Sequence, residues 1–476
     1  MTGVDRNLFL RQYSKAIADD TAAVFVGAGL SRPSGYVDWR ELLRDIAEDL
    51  KLDIDRETDL VAIAQYHLNK VGTRSDLNQL LIDEFTKDAT LTENHHLLAS
   101  LSIDTVWTTN YDDLLERAYT DGGKKIDVNL TKENLAVTVP GRKVTIYKMH
   151  GDKTMPEDAV LTKEDYEAYD TKRSLFSTSL RGDLVDKSFL FLGFSFTDPN
   201  IDYILSRIRN LLGENQRRHY CIMKSVAKPT GRSKKATESY DYECNKLQHR
   251  IADFKRYSIQ AVMIDEYSEI TGILAELNRR SHLKEVFVSG SAEDFSPFGD
   301  VRLPRLSHLL GEKLIREGFN IVSGFGLGIG GSVIQGAMQN LGHNDESRLQ
   351  LRPFPQKPPS GMSLANYWTA YRHRMISNAG SCVFIAGNKK DSSGNVVEAD
   401  GVIEEFDICC KQGKFPIPIG ATGHSAKRLW ERMHASLDSY FPGGGVTGHF
   451  DTIGNERKSD EQIVDAVIAI LKRISR

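Results

Sequence analysis

At 476 residues the chain exceeds what one hydrophobic core commonly organises, so two domains are expected. Lys and Arg total 61 against 65 Asp and Glu, a balance that excludes the strong basic field of a nucleic-acid binder. No window approaches a membrane span, residues 1–20 lack a signal-peptide core, and the five cysteines contain no C-x-x-C pair; a cytoplasmic protein with no disulfide framework and no metal is expected.

Leu8–Ile17 has the spacing of an amphipathic helix and leads into Ala22–Val26, a short apolar run closed by glycine. Such a run suits a strand buried on both faces of a parallel sheet. Gly27 and Gly29 then permit a tight turn and a close approach of backbone to a ligand, and amides opening the next helix can hold a pyrophosphate. Taken alone, GAGLS is equally compatible with a plain strand–helix turn. Helical spacing continues through Trp39–Leu50, Leu60–Leu68 and Leu77–Phe85. Thr105–Thr109 predicts a strand that ends at Asn110, with Tyr111, Asp112 and Asp113 opening a helix. Val144–Met149 predicts another, ending at His150-Gly151, and Phe189–Leu192 a third, ending in Gly193-Phe194-Ser195. In an open α/β sheet, ligands bind outside the carboxyl ends of the strands, where these polar residues fall.

Position by position, GAGLSRPSGYVDWR resembles the sirtuin signature, with Gly27, Ala28, Gly29, Ser31, Gly35, Asp38 and Arg40 at its spacing. Thr108–Asp112 (TTNYD) resembles the sirtuin motif that carries the catalytic-site Asn and Asp. Met149-His150-Gly151 resembles the motif with the catalytic histidine, and Gly193-Phe194-Ser195 the later nucleotide-binding loop. The resemblance implies that Gly27, Ala28, Gly29, Ser31, Asp38, Arg40, Gly193 and Ser195 bind NAD+. It also implies that Asn110, Asp112 and His150 cleave its nicotinamide–ribose bond. The residue types suit that chemistry. An amide both donates and accepts, so Asn110 can hold a water and a ribose hydroxyl together. A neutral imidazole at His150 can take a proton from either. Asp112 can orient the nicotinamide amide or the ribose. Read singly, an Asn after a strand is also a helix cap and a His-Gly is also a turn.

The chain departs from the protein deacylases of that family, whose zinc module lies between the histidine and the later glycine loop. Gly151–Leu192 contains no cysteine, only charged segments such as Lys163–Tyr169, so water is the expected acceptor. Lys224–Arg256 mixes both charge signs and reads as a solvated helix joined to a loop. Gln260–Ile264 predicts a last strand and Tyr267–Arg280 a closing helix, placing domains at 1–283 and 284–476.

The second domain repeats the α/β pattern. Val286–Ser289 predicts a strand leading to Gly290-Ser291, followed by a helix over Leu306–Glu317. Asn320–Ser323 predicts a strand running into the glycine-rich 324–331 and a helix over Ser332–Asn340. No Lys-Ser/Thr follows the glycines, which excludes a nucleotide-hydrolysing P-loop. Strands are expected at Leu349–Arg352, Cys382–Ile385 and Phe415–Ile419, with Tyr367–Met375 placing Arg372 near the sheet. Guanidinium binds phosphate oxygens bidentately, so Arg372 suits a phosphate clamp; a surface arginine is the alternative.

This half resembles the SLOG superfamily of Rossmann-like nucleotide-ligand domains. It lacks the PGGxGT segment of the superfamily's phosphoribohydrolases, although Glu404 and Glu405 are expected to open the next helix. The resemblance implies a sensor whose ligand meets Ser289, Gly290, Gly326, Gly328, Arg372, Lys389 and Glu405. The fold class expected is thus α/β, two Rossmann-like domains with parallel sheets, sirtuin-like then SLOG. That order resembles the NAD-consuming effectors of bacterial Thoeris anti-phage systems. The resemblance implies a homotetramer held through the sirtuin-like domains. It also implies activation by a cyclic ADP-ribose isomer made by a TIR-domain partner. A regulated NAD+ glycohydrolase is the leading expectation; an NAD-dependent protein deacylase and a non-catalytic nucleotide sensor remain as alternatives.

Overall fold

Alternation along single strands divides the N-terminal core between the two faces of one sheet. In β1 (Ala22–Val26) every residue is buried. Ala22, Val24 and Val26 join an apolar cluster with Phe9, Tyr13, Ile146 and Leu190. Ala23 and Phe25 join another with Trp107, Phe176, Phe189 and Phe191. Fully burying a Val or Phe side chain stabilises by about 1.5–3 kcal/mol, which is why the strand is apolar without alternation.

The structure is a computed structural model. It describes residues 3–194, 196, 201, 205–206, 209, 216–229, 234–342, 345–441 and 444–475. Contacts divide the chain into two compact units, Met1–Asn278 and Arg279–Arg476.

In the first unit, β1 is joined by β2 (Thr105–Thr108), β3 (Ile126–Asn129), β4 (Val144–Lys148), β5 (Ser188–Leu192), β6 (His219–Lys224) and β7 (Ile259–Ile264). The sheet order is β3-β4-β2-β1-β5-β6-β7, and every pairing is parallel. Because β1 has β2 on one side and β5 on the other, the order reverses at β1 and a crevice opens above the strand ends. Helices between Tyr36 and Phe85 wall that crevice. They form their own cluster, with Leu42, Leu43, Ile63, Leu77 and Leu81 packed on Tyr111 and Leu114. The Tyr36 hydroxyl closes the wall by donating to the carbonyls of Phe85 and Lys87, both at 3.1 Å.

The second unit holds β8 (Glu285–Ser291), β9 (Asn320–Ser323), β10 (Leu349–Leu351), β11 (Ser381–Ala386), the short antiparallel pair β12 (Asn388–Lys390) and β13 (Val396–Glu398), and β14 (Phe415–Pro418). Its main sheet, β10-β9-β8-β11-β14, is wholly parallel and reverses at β8.

Several local expectations are corrected. Trp39–Leu50 breaks into the helices Trp39–Leu42 and Arg44–Asp49, because Leu43, at φ −94° and ψ 6°, turns its side chain into the core. β3 and β6 were not expected: IDVN is short and half polar, and HYCIMK begins on a buried histidine. Glu404 and Glu405 do not open their helix, which begins at Asp400 once β13 has ended. They stand in its second turn, where Glu405 reaches Ser289 of β8 and Glu404 stays partly exposed beside Arg372. Lys224–Arg256 does contain a mostly exposed helix, Lys234–Lys255, anchored by Ile251 and Phe254.

Candidate active site

The turns after β1 and β5 cross in direct contact, and glycine makes that possible. A Cβ on Gly27 would lie 2.5 Å from the Gly193 carbonyl oxygen, and one on Gly29 2.8 Å from the Gly193 Cα. Gly193 itself has φ +61°, with Leu30 N 2.5 Å from where its Cβ would be. Gly27 N–H donates to Leu192 O at 2.9 Å and Gly29 N–H to Gly193 O at 3.0 Å. These glycines therefore serve backbone-to-backbone packing first, and the packed turns form the floor of a cavity.

That cavity, of about 390 Å³, is lined by Gly27, Ala28, Gly29, Ser31, Asp38, Arg40, Asn110, Asp112, His150 and Gly193. Ser195 lies outside the described residues. Val37 and Trp39, which lie within the signature but are not among its matched positions, and Leu42, Leu60 and Tyr166, which lie outside any motif, supply an apolar wall. Asp38 and Arg40 face the space but are already engaged. Asp38 caps the helix Trp39–Leu42 by accepting from the amides of Arg40 and Glu41, both at 3.1 Å, and pairs with Arg32 at 3.3 Å. The Arg40 guanidinium donates to the carbonyls of Ile54 and, at 3.0 Å, Glu57. Both residues build the wall as well as line it.

Asn110 is buried at the end of β2. Its Nδ2 donates to Ser31 Oγ at 3.0 Å and Gly27 O at 3.3 Å, which fixes the amide plane. Its Oδ1 is buried with no hydrogen-bond partner among the described residues. Leaving a buried acceptor open costs about 1–3 kcal/mol, so the position is suited to a donor from a ligand. His150 follows β4, its ring edge-on to Tyr166 at 5.6 Å and Tyr169 at 6.3 Å. Asp112 accepts from Leu114 N–H at 3.0 Å, and burial pushes its carboxyl up against the opposing pull of Lys148 and Ser31. Lys148 gives no signal in sequence, since a lysine at a strand end reads as solvent-facing. It is fully buried beneath Asp112, among Glu116 and Asp152. Among the described residues no group of three or more His, Cys, Asp and Glu is placed to hold a metal ion.

In the second unit Ser289, Gly290, Gly326, Arg372, Lys389 and Glu405 line one cavity of about 510 Å³ at the reversal of strand order. Gly328 is not part of that wall; with φ +74° and a Cβ position 2.3 Å from Ala292 O, it lets the glycine-rich loop cross the end of β8. Arg372 rests over the Phe354 ring at 5.0 Å and pairs with Glu404 at 2.7 Å and Glu405 at 3.4 Å. Lys389 pairs with Asp400 at 2.6 Å. Glu405 accepts from the Ser289 hydroxyl at 2.5 Å, and burial pushes its carboxyl up to about 7.

Because an unfolded glutamate titrates near about 4.3, the raised value makes folding favour the protonated form. That contribution is complete below the unfolded value and is lost as pH rises through about 7. Glu405→Gln should therefore melt close to wild type near pH 4–5 and gain on it towards neutrality. A melting-temperature difference that stays constant across this range would contradict the assignment.

Two parallel sheets, each with a cavity at its reversal point, define a sirtuin-like domain followed by a Rossmann-like ligand domain. Residues 104–245 match the SIR2-like domain family, and residues 269–474 match the Sir2- and TIR-associating SLOG family. The chain is 42% identical over 475 residues to NAD(+) hydrolase ThsA of Bacillus cereus, covering 98% of each chain. It is 42% identical to the ThsA of Acinetobacter baumannii, covering 99% of each. Defense-associated sirtuin 2 of Bacillus subtilis is 27% identical over 209 residues, 42% of this chain and 20% of that protein. The chain belongs to the ThsA family of NAD(+) hydrolases.

Proposed function

We propose that the first cavity hydrolyses NAD+ at the nicotinamide–ribose bond, giving nicotinamide and ADP-ribose, and that the second takes a cyclic ADP-ribose isomer that activates it. The observation that carries the first half is the buried, open Oδ1 of Asn110, beside Asp112 and His150 at the end of the central strands. As the bond breaks, its electron pair leaves with the nicotinamide nitrogen and positive charge develops on the ribose. Asn110 Oδ1 accepts from a ribose hydroxyl or the attacking water, its orientation fixed by Gly27 and Ser31. His150 takes the proton that water releases as it adds to the ribose. Asp112 holds the nicotinamide amide or the ribose, and its negative charge favours the developing cation.

The second half rests on the chemistry of the other cavity. Arg372 and the amides near Gly290 and Gly326 suit phosphate oxygens, while Glu405 and Ser289 suit ribose hydroxyls. NAD depletion in Thoeris anti-phage defence, a TIR-domain partner that makes the isomer, a homotetramer and a cytoplasmic setting belong to the same proposal through the family. No helix among the described residues is long and apolar enough to cross a membrane.

The test is to incubate the purified protein with NAD+, with and without a cyclic ADP-ribose isomer. Nicotinamide and ADP-ribose should appear in equal amounts and faster with the isomer. Nicotinamide release that requires an acylated peptide would instead identify a deacylase, and none under any condition would identify a sensor.

A further inference from the structure

Lys148 is the last residue of β4, two positions before His150, and its side chain is wholly buried. An ammonium there is costly unless its donors are matched. They are matched by groups from both sides of the site. Nζ pairs with Glu116 at 2.9 Å and with Asp152. It also donates to the main-chain carbonyl of Asp112 at 2.5 Å and reaches that of Tyr111 at 3.5 Å. Glu116 lies on the helix Leu114–Asp121, which Asp112 helps to cap, and Asp152 lies just past His150-Gly151. One ammonium thus ties the segment carrying Asn110 and Asp112 to the segment carrying His150.

We propose that Lys148 is a positioning residue for NAD+ cleavage: it fixes the Tyr111–Asp112 turn against the end of β4 and supplies the positive charge that keeps Asp112 a carboxylate in the cavity wall. This rests on the reading of the first cavity as the site of cleavage. Burial favours the neutral acid at Asp112, so a nearby cation decides its state. The groups around it are Lys148 and Asp152 from β4 and the loop beyond, Asp113 and Glu116 from its own segment, the Tyr36 hydroxyl from the helical wall, and His150 across the cavity. Arg117 and Lys153 are directed to Asp113, at 3.9 and 3.1 Å. Burial alone would push the Lys148 ammonium down, but Glu116 and Asp152 hold it above the usual lysine value, so it stays charged. Glu116 shares that charge with Asp112 and repels its carboxylate.

Two substitutions should therefore move the acidic limb of the pH profile in opposite directions. In full-length protein, nicotinamide release from NAD+ is measured as kcat/KM against pH. Lys148→Met should shift the acidic limb upward by about one to three pH units, and Lys148→Arg should restore most of it. Glu116→Gln keeps the shape of the side chain, removes a carboxylate that competes for Lys148 and repels Asp112, and should shift the limb downward. Asp112→Asn should keep at most a residual limb that neither substitution moves when added to it. If Lys148→Met or Glu116→Gln still moves the limb in the Asp112→Asn background, the role read for Asp112 fails, and the proposal with it. If the wild-type limb stays in place in both Lys148→Met and Glu116→Gln, Lys148 is structural only and the positioning role alone is overturned. Should Lys148→Met not fold, Glu116→Gln decides: a downward shift supports the role and an unmoved limb ends it.

Discussion

Asn110→Ala and His150→Ala proteins should each remain folded and lose NAD+ cleavage by about 10²–10⁴-fold or more. The fold should survive the first change because the groups that Asn110 holds have other partners. Gly27 O also accepts from Leu30 N–H at 3.1 Å, and Ser31 is hydrogen-bonded to Asp112. Activity should not survive, because alanine removes the acceptor that the fixed amide offers to a ligand at the end of β2. His150→Ala empties the space between Tyr166 and Tyr169 and removes the proton acceptor, so its loss of turnover should exceed its loss of stability. His150→Gln separates the two effects by keeping bulk without basicity. Nicotinamide release and thermal melting, measured on the same preparations, give both numbers. Near wild-type turnover in any of these variants would remove that residue from the mechanism.

Arg372→Ala should raise the activator concentration needed for half-maximal activity by about 10–100-fold while leaving saturated turnover unchanged. A hydrogen bond to a charged group contributes about 1.5–3 kcal/mol, and each 1.4 kcal/mol is a factor of ten. Without ligand the guanidinium is already bound by Glu404 and Glu405, so a phosphate must displace carboxylate from it. Glu404 is the partly exposed member of that group and pays least to be released into water. Losing the arginine should not collapse the cavity, since Glu405 is half-protonated near neutrality and keeps its bond to Ser289. Calorimetry with the full chain gives the affinity, and NAD+ hydrolysis against activator concentration gives the response. An unchanged affinity would exclude the clamp.

Much of the frame was legible because buried parallel strands and their ends leave local marks. Ala22–Val26 and Phe189–Leu192 are apolar without alternation and stop at glycine, and both became central strands. The polar residues that end strands, Asn110, Asp112 and His150, marked where the cavity lies because strand ends converge at a reversal of order. What remained hidden depends on contacts distant in sequence. The spacing of Gly27 and Gly193 is visible, but their crossing, which excludes any Cβ, is a fact of three dimensions. Lys148 reads as an ordinary strand-end lysine until Glu116 is folded against it. Arg372 was legible as a cation near the sheet, whereas its carboxylate partners came from a helix whose start was misplaced. Gly328 looked like a ligand contact because a glycine-rich loop permits both ligand approach and backbone packing, and packing accounts for it here.

The proposed function divides the labour between cleavage in the sirtuin-like cavity and sensing in the SLOG cavity. Titrating wild type, His150→Ala and Arg372→Ala with a cyclic ADP-ribose isomer, and recording both isomer binding and nicotinamide release, tests it most directly. His150→Ala should bind the isomer as wild type does and release almost no nicotinamide. Arg372→Ala should reach wild-type release, but only at about 10–100-fold higher isomer concentration. Loss of isomer binding in His150→Ala, or loss of saturated turnover in Arg372→Ala, would contradict the account.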